Sequence, residues 1–266
     1  MTTLVTGATG NTGRHIVAEL VRRGEPVRAL TRDPATAPAG DGVEWVRGTH
    51  TAPQTLGAAL DGADRLHITM TAGLTETGPE LVRRAVAAGV RRITVLWGGW
   101  VGPVEQAVAE SGVEWTRLEP QEFMSNALTW IDSIRAGGVV REAHDFPSAV
   151  VHEADIGAVA ATCLLADGHT GRAYTLTGPE ALTTGERLAI LSRAIGRTVR
   201  LERISHEQAV ERLLAAGVSR ADADFVLGWH ADPPPEATTV DDTVRRLLGR
   251  PARTFAQWAR EHAARF

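Results

Sequence analysis

Thr3-Leu4-Val5-Thr6-Gly7-Ala8-Thr9-Gly10-Asn11-Thr12-Gly13 is a short apolar stretch that runs straight into three glycines spaced GxxGxxG. Ile16, Val17, Leu20 and Val21 follow at helical spacing, and Gly24 stands where a helix C-terminus favours a left-handed residue. The order is strand, tight glycine turn, helix. Glycines suit such a turn because the backbone must bend sharply and let a phosphate approach closely. The helix that follows aims its free N–H groups and the positive end of its dipole at that phosphate. The stretch therefore predicts a dinucleotide site formed by Gly7, Thr9, Gly10, Asn11, Thr12 and Gly13.

Outward from this opening, strands and helices alternate at the spacing of βαβ units. Strands are predicted at Val27–Thr31, Val43–Val46, Leu66–Met70, Ile93–Trp97 and Val113–Leu118, with helices at Leu56–Leu60, Pro79–Ala88 and Val104–Glu110. Right-handed crossovers between such strands give a doubly wound parallel sheet with helices on both faces, an α/β Rossmann-type core. The later chain is less regular. Glu122–Arg135 reads as a helix, Ala149–Val151 and Ala173–Leu176 as strands, and a helix is predicted from Asp155. Further helices are predicted at Thr184–Ile195, His206–Ala216, Ala221–Trp229, Val240–Leu248 and Phe255–Ala264, with Pro233-Pro234-Pro235 as a stiff linker. The expected organisation is a dinucleotide-binding core over 1–150. Residues 151–266 complete it and form a small, mostly helical lobe that covers the substrate.

The composition excludes several classes of function. With 266 residues, 43% hydrophobic and 23% charged, the chain is long enough for one large α/β unit or two small domains. A net charge of -4 gives no nucleic-acid surface. Apolar runs are too short to span a bilayer and no signal-peptide pattern is present, so a cytoplasmic protein is expected. The single cysteine, Cys163, cannot form an internal disulfide and reads as a small core residue. The nine histidines show no HxxxH or HExxH spacing, so no metal is predicted. All 28 residues counted as Lys+Arg are arginines. That excludes any mechanism built on a lysine Schiff base or a lysine acid. Tyr174 is the one tyrosine, placed mid-strand.

These stretches resemble the NmrA-like group of atypical short-chain dehydrogenases/reductases. LVTGATGNTG is similar to that family's opening, and VRALTRDP to its second strand and turn. SGVEWTRLEPQEFMSNAL resembles its sixth-strand segment, where Pro120, Phe123, Met124 and Asn126 match the usual pattern. VHEADIGAVAATCLLADGHTGRAYTLTGPEALT and GRPARTFAQWAREH resemble its C-terminal half and closing helix. The resemblance implies an NAD(P)H-binding Rossmann fold. The family includes quinone and azo reductases, and also proteins that bind dinucleotide without turnover. Three departures stand out. The Tyr-x-x-x-Lys pair of typical short-chain dehydrogenases is absent. The fifth strand, where relatives often end in Ser or Thr, runs Leu96-Trp97-Gly98-Gly99-Trp100. Where relatives place a Gly-Asp pair after the third strand, near the adenine, this chain has Gly48-Thr49.

An Asp or Glu about 20 residues past the glycines usually holds the ribose of NAD. The second strand here ends in Thr31-Arg32 instead, and a guanidinium suits a 2′-phosphate. NADP(H) is therefore favoured over NAD(H), with Asp33, one residue later, as the opposing feature. By strand order the nicotinamide end should lie near Thr69, Met70, Thr71, Gly98, Pro120 and Phe123. Trp97, Trp100, Phe123, Trp130 and Trp229 are the residues expected to bind a planar, apolar substrate, with Trp97 nearest the chemistry and His230 beside Trp229. Glu122 is the proton-donor candidate, because a carboxyl in an apolar, aromatic pocket has a raised pKa. Its alternative role is to stabilise a helix dipole. His152, Glu153 and Asp155 form a polar cluster in which Asp155 caps or ties down a helix.

Without the relay, the expected reaction is hydride transfer from NADPH to a conjugated quinone, azo, imine or enone acceptor. The anion such an acceptor leaves can take its proton from water. The alternatives are a dinucleotide sensor without catalysis, and a non-redox lyase or isomerase that keeps the nucleotide as structure. The expected partners are a small-molecule substrate and, at most, a second copy in a homodimer.

Overall fold

The computed structural model describes residues 1–266 except 39 and 72. In chain order the elements are β1 (Thr2–Val5), α1 (Gly13–Arg22), β2 (Val27–Thr31), β3 (Val43–Arg47), α2 (Gly57–Leu60), β4 (Ala63–Thr69), α3 (Leu74–Ala87), β5 (Arg92–Leu96), α4 (Pro103–Glu110) and β6 (Glu114–Pro120). A 3-10 stretch, Met124–Trp130, then leads into α5 (Ile131–Gly137), β7 (Val139–Glu142), α6 (Glu153–Leu165), β8 (Arg172–Leu176), α7 (Thr184–Ile195) and β9 (Arg200–Arg203). The remaining helices are α8 (His206–Ala215), α9 (Arg220–Ala231), α10 (Pro235–Thr238), α11 (Thr243–Leu248) and α12 (Phe255–His262).

The chain divides into two compact units that interleave along it. The first takes Met1–Pro120, Glu153–Leu176 and Thr243–Arg250, and the second takes Gln121–His152, Thr177–Asp242 and Pro251–Phe266. The chain re-enters the first unit after His152, so no single cut near residue 150 separates the two.

In the first unit, seven strands form one sheet in the order β3-β2-β1-β4-β5-β6-β8. Every pair is parallel. The order reverses between β1 and β4, the switch point at which open α/β sheets bind ligands. Alternate side chains go to opposite faces. Leu4, Leu66, Ile68, Ile93 and Val95 pack with Leu81, Val104 and Val108 of α3 and α4. On the other face α1 and α6 meet closely, because position 157 is glycine: a Cβ there would stand 2.7 Å from the His15 carbonyl carbon. Helix α3 starts at Leu74, earlier than the proline-led start predicted at Pro79, because Leu74 is fully buried in this core.

The second unit has two apolar centres. Met124, Trp130, Ile134, Leu188, Phe255 and Trp258 form one, and Ala143, Ala209, Val210 and Leu227 the other. Helices α7, α8 and α12 each open with a reciprocal capping box, Thr183 with Glu186, Ser205 with Gln208 and Thr254 with Gln257. The continuous helix expected over Glu122–Arg135 is replaced by the 3-10 stretch and α5. The cause is a bridge to Val151, whose N–H donates to the Glu122 carbonyl at 2.7 Å while the Met124 N–H donates to the Val151 carbonyl at 3.0 Å. Those backbone groups are then unavailable to a helix. The parallel pair β7–β9 was not predicted. The proline run is more than a linker: Pro235 opens α10, and the carbonyl of buried Ala237 accepts from the Ala149 N–H at 2.8 Å.

Candidate dinucleotide and substrate sites

The glycine turn follows β1 directly. Gly7 has φ +59, the left-handed region that glycine enters without penalty. Its carbonyl accepts from the Gly10 N–H at 2.9 Å and lies under Gly13, where a Cβ would come within 2.1 Å of it. Gly13 is thus the close-packing glycine, whereas Thr9, Gly10 and Asn11 are exposed on the rim. The turn is stapled to the end of β4. The Thr69 N–H donates to Thr6 Oγ1 and Thr69 Oγ1 donates to the Thr6 carbonyl, each at 3.0 Å. Thr12 stands at the head of α1 without a side-chain capping bond, and the first turn carries no acidic residue. Arg14 and His15 at the head of α1 donate to the Gly10 and Thr12 carbonyls, and the Gly13 N–H has no acceptor among the described residues; that group, the positive end of the helix dipole and the exposed rim at Gly10 fit a pyrophosphate.

At the tip of β2 the Arg32 side chain is exposed and has no partner among the described residues. Asp33 beside it is occupied. Its carboxylate accepts from the Ala35 N–H at 3.3 Å and faces Arg47 Nη2 at 3.3 Å. Arg47 also donates to the Arg32 carbonyl at 3.0 Å. Sequence reading missed Arg47. The strand order alone could have found it, since β3 borders β2 and Arg47 is in register with Thr31.

Near the ends of β3 and β4, His50 Nε2 is 2.6 Å from Thr71 Oγ1, and burial holds this imidazole below its ordinary pKa. Met70 lies beside Gly98, where a Cβ would stand 3.6 Å from the Met70 Cβ. Trp97 is half-buried, and its indole Nε1 is buried without a hydrogen-bond partner. Trp100 is 57% exposed and leans on Gly102. Pro120 is buried at the end of β6. A 780 Å³ depression lined by Gly57, Asp61, Arg83 and Ala88 lies at the far end of α3, away from the glycine turn.

In the second unit Glu122 departs from expectation. Its carboxylate is buried, accepts from Ser148 Oγ at 2.6 Å and pairs with Arg187 Nη1 at 3.0 Å. Burial pushes its pKa up, but the Arg187 charge and the two hydrogen bonds outweigh burial and leave it below the ordinary value. Glu122 is an ionised half of a buried ion pair, so neither the raised pKa nor the helix-dipole role applies. Trp130 is corrected as well. It is 7% exposed, lies in the core, donates its indole N–H to Glu142 at 2.9 Å and carries the Arg187 guanidinium 5.6 Å from its ring centre. Phe123 and Trp229 are half-buried, and Trp229 meets Phe146 edge-on at 5.8 Å.

Elsewhere in the first unit, the buried Asp155 carboxylate pairs with Arg250 at 2.7 Å, as expected of a residue that ties α6 down. Burial pushes the Cys163 thiol up to about 12, an inert core group. Tyr174 hydrogen-bonds His169 at 2.9 Å. Among the described residues no group of three or more His, Cys, Asp or Glu could hold a metal ion, and no helix is long and apolar enough to cross a membrane.

Residues 7–102 match a family model described as NAD(P)H-binding. The chain is 40% identical to the (4-alkanoyl-5-oxo-2,5-dihydrofuran-3-yl)methyl phosphate reductase of Streptomyces griseus, over 99% of this chain and 98% of that one. It is 36% identical to the NAD(P)H azoreductase of Xenophilus azovorans, again over 99% of this chain and 98% of that one. The Citrobacter sp. triphenylmethane reductase shares the fold, with a TM-score of 0.82 over all of both chains at 22% identity. On these likenesses, which run the full length and include the glycine turn, the chain belongs to the NmrA-like atypical short-chain dehydrogenase/reductase family of NAD(P)H-dependent reductases.

Proposed function

We propose that the chain is an NADPH-preferring reductase of planar, conjugated small molecules, with an α,β-unsaturated carbonyl as its foremost acceptor class. The observation that carries this reading is the state of Glu122. The carboxyl best placed in sequence to give a proton is a buried, ionised partner of Arg187, and the chain has no lysine to complete a Tyr-Lys relay. A simple ketone needs an acid to meet its developing alkoxide. A conjugated acceptor spreads the charge and can be protonated by water. The relative that reduces a 5-oxo-2,5-dihydrofuran acts on such a conjugated lactone.

When bound, the dinucleotide supplies the hydride. Gly7, Gly10, Gly13 and the head of α1 would hold its pyrophosphate, and Arg32 its 2′-phosphate. The Arg47–Asp33 contact supports this preference. It neutralises and ties up the one carboxylate that could otherwise repel the phosphate or bind a ribose hydroxyl. Thr69, Met70, Thr71, Gly98 and Pro120 are proposed at the nicotinamide. Trp97 and Trp100, which follow β5, are proposed to bind the acceptor.

Two measurements test the proposal. Arg32→Ala is expected to weaken NADPH by about 1.5–3 kcal/mol, the worth of a charge-assisted hydrogen bond, and to leave NADH nearly unchanged in a titration. Equal parent affinities for the two nucleotides would defeat the preference. NADPH oxidation is then followed with a panel of enones, quinones, azo compounds, imines and simple ketones. Turnover is expected with the conjugated members and not with the ketones. Tight NADPH binding with no turnover of any member would point to a sensor.

A further inference from the structure

Three side chains meet where β2 and β3 end in the first unit. Thr31, the last residue of β2, is in register with Arg47, the last of β3. Arg47 Nη1 donates to the Arg32 carbonyl at 3.0 Å, and Nη2 faces the Asp33 carboxylate at 3.3 Å. The pair is open to solvent, with 70% of the Arg47 side chain and 48% of the Asp33 side chain exposed. An ion pair this exposed adds little to stability, and 3.3 Å is long for a charge-assisted hydrogen bond. The fold therefore gains little from it.

Asp33 does not need Arg47 to hold its place. Its N–H donates to Thr31 Oγ1 at 3.3 Å, and its carbonyl accepts from Thr36 Oγ1 at 3.1 Å. Its carboxylate caps the short turn Pro34–Thr36 by accepting from the Ala35 N–H at 3.3 Å. Both contacts of the carboxylate, to Ala35 and to Arg47, fall on Oδ1. Oδ2 has no partner among the described residues. What Arg47 brings to Asp33 is thus a charge and not a position. An acceptor oxygen stands ready one residue past Arg32, in the region where a carboxylate takes the ribose hydroxyl of NAD.

We propose that Arg47 sets the cofactor choice by masking Asp33: its charge cancels a carboxylate that would otherwise repel the 2′-phosphate of NADP(H) and accept a ribose hydroxyl of NAD(H). The inference rests on the reading of Arg32 as the 2′-phosphate ligand and adds a second determinant to it. Arg32 attracts the phosphate, and Arg47 keeps the neighbouring carboxylate from opposing that attraction. Loss of the Arg47 charge then has two opposite effects, weaker NADPH and stronger NADH. A cation that acted only by touching the phosphate would give the first effect alone. The response of NADH therefore separates masking from direct contact.

Arg47→Gln, Asp33→Asn and the double variant test this by fluorescence titration of both reduced nucleotides, with no turnover needed. Arg47→Gln keeps a hydrogen-bond donor and removes the charge, while Asp33→Asn keeps the cap and removes the carboxylate. Arg47→Gln is expected to weaken NADPH about fivefold to tenfold and to tighten NADH about threefold, the range of an exposed unit charge at contact distance. In the Asp33→Asn background the same change should leave NADH unmoved. Arg47→Lys, which restores the charge, should return both affinities toward those of the parent. Thermal unfolding checks each variant, and at this exposed position the transition should stay near the parent's. Unchanged NADH binding in folded Arg47→Gln, or an equal gain with Asp33→Asn in place, would overturn the inference. A parent that binds NADPH and NADH equally defeats the NADPH preference instead, and the response of NADH to Arg47→Gln still decides whether Asp33 is masked.

Discussion

Gly10→Val is expected to abolish nucleotide binding and leave the fold standing, whereas Gly13→Ala is expected to damage the fold itself. The two glycines are three residues apart but meet different surroundings. Gly10 is exposed, and a Cβ there would stand 3.1 Å from the Gly7 carbonyl, a contact that a shift of a few tenths of an ångström relieves. Its branched methyls would then fill the approach to the head of α1 and the Gly13 N–H. Losing two charge-assisted bonds to the pyrophosphate costs about 3–6 kcal/mol, which puts the affinity beyond ordinary titration. Gly13 has no such room. Its Cβ would lie 2.1 Å from the Gly7 carbonyl oxygen and 2.7 Å from its carbon, and backbone cannot step aside as a side-chain tip can. Overpacking of this kind costs about 1–3 kcal/mol or more. Thermal unfolding and NADPH titration of both variants decide the matter. Normal binding by a folded Gly10→Val protein would remove the glycine turn from the site.

The second large effect is at the buried pair. Arg187→Ala leaves the buried Glu122 carboxylate without its cation and with Ser148 as its remaining hydrogen-bond donor, and breaking a buried pair in this way costs about 3–5 kcal/mol. The pH dependence has a definite sign. The native pKa of Glu122 is below its ordinary value of 4.5, so the pair's contribution is complete above that value and is lost as pH falls through the lowered one. In Arg187→Ala the shift reverses, because burial now acts without the cation. Protonation then relieves the buried charge, and the deficit relative to the parent should narrow in acid. Urea unfolding at neutral pH and below the ordinary carboxylate pKa measures both. Glu122→Gln should likewise cost stability, while the turnover rate of its folded protein stays within about tenfold. A loss of 10²-fold or more in folded Glu122→Gln would restore the general-acid role.

The parts of the fold that read cleanly from the sequence depend on local signals. The glycine turn, β2 and α7 are written in contiguous residues, and the predicted bounds of β2 and α7 agree with those observed. What was misread depends on partners distant in the chain. The backbone of Glu122–Met124 is taken by Val151, so a segment with a helical apolar pattern cannot form one helix. β7 and β9 are short, charged strands whose pairing carries no sequence signal of its own. In the candidate site, the place of Arg32 after β2 is legible in the sequence, whereas the contact of Arg47 with Asp33 and the Arg32 carbonyl is seen only when β3 is laid beside β2. Glu122 was misread for the same reason. The aromatic residues near it in sequence implied a raised pKa, and Arg187, 65 residues away, reverses it.

The alternation of the two units has a consequence for synthesis on the ribosome. Phe255 and Trp258 are essentially buried in the core of the second unit, so that core is incomplete until nearly the whole chain has been translated. β8 and α11 of the first unit are likewise made after long stretches of the second. A nascent chain therefore carries two unfinished hydrophobic interiors at once, and its window of exposure to chaperones and proteases lasts nearly to the end of translation. The same threading constrains inheritance: a single recombination crossover cannot exchange one unit for another.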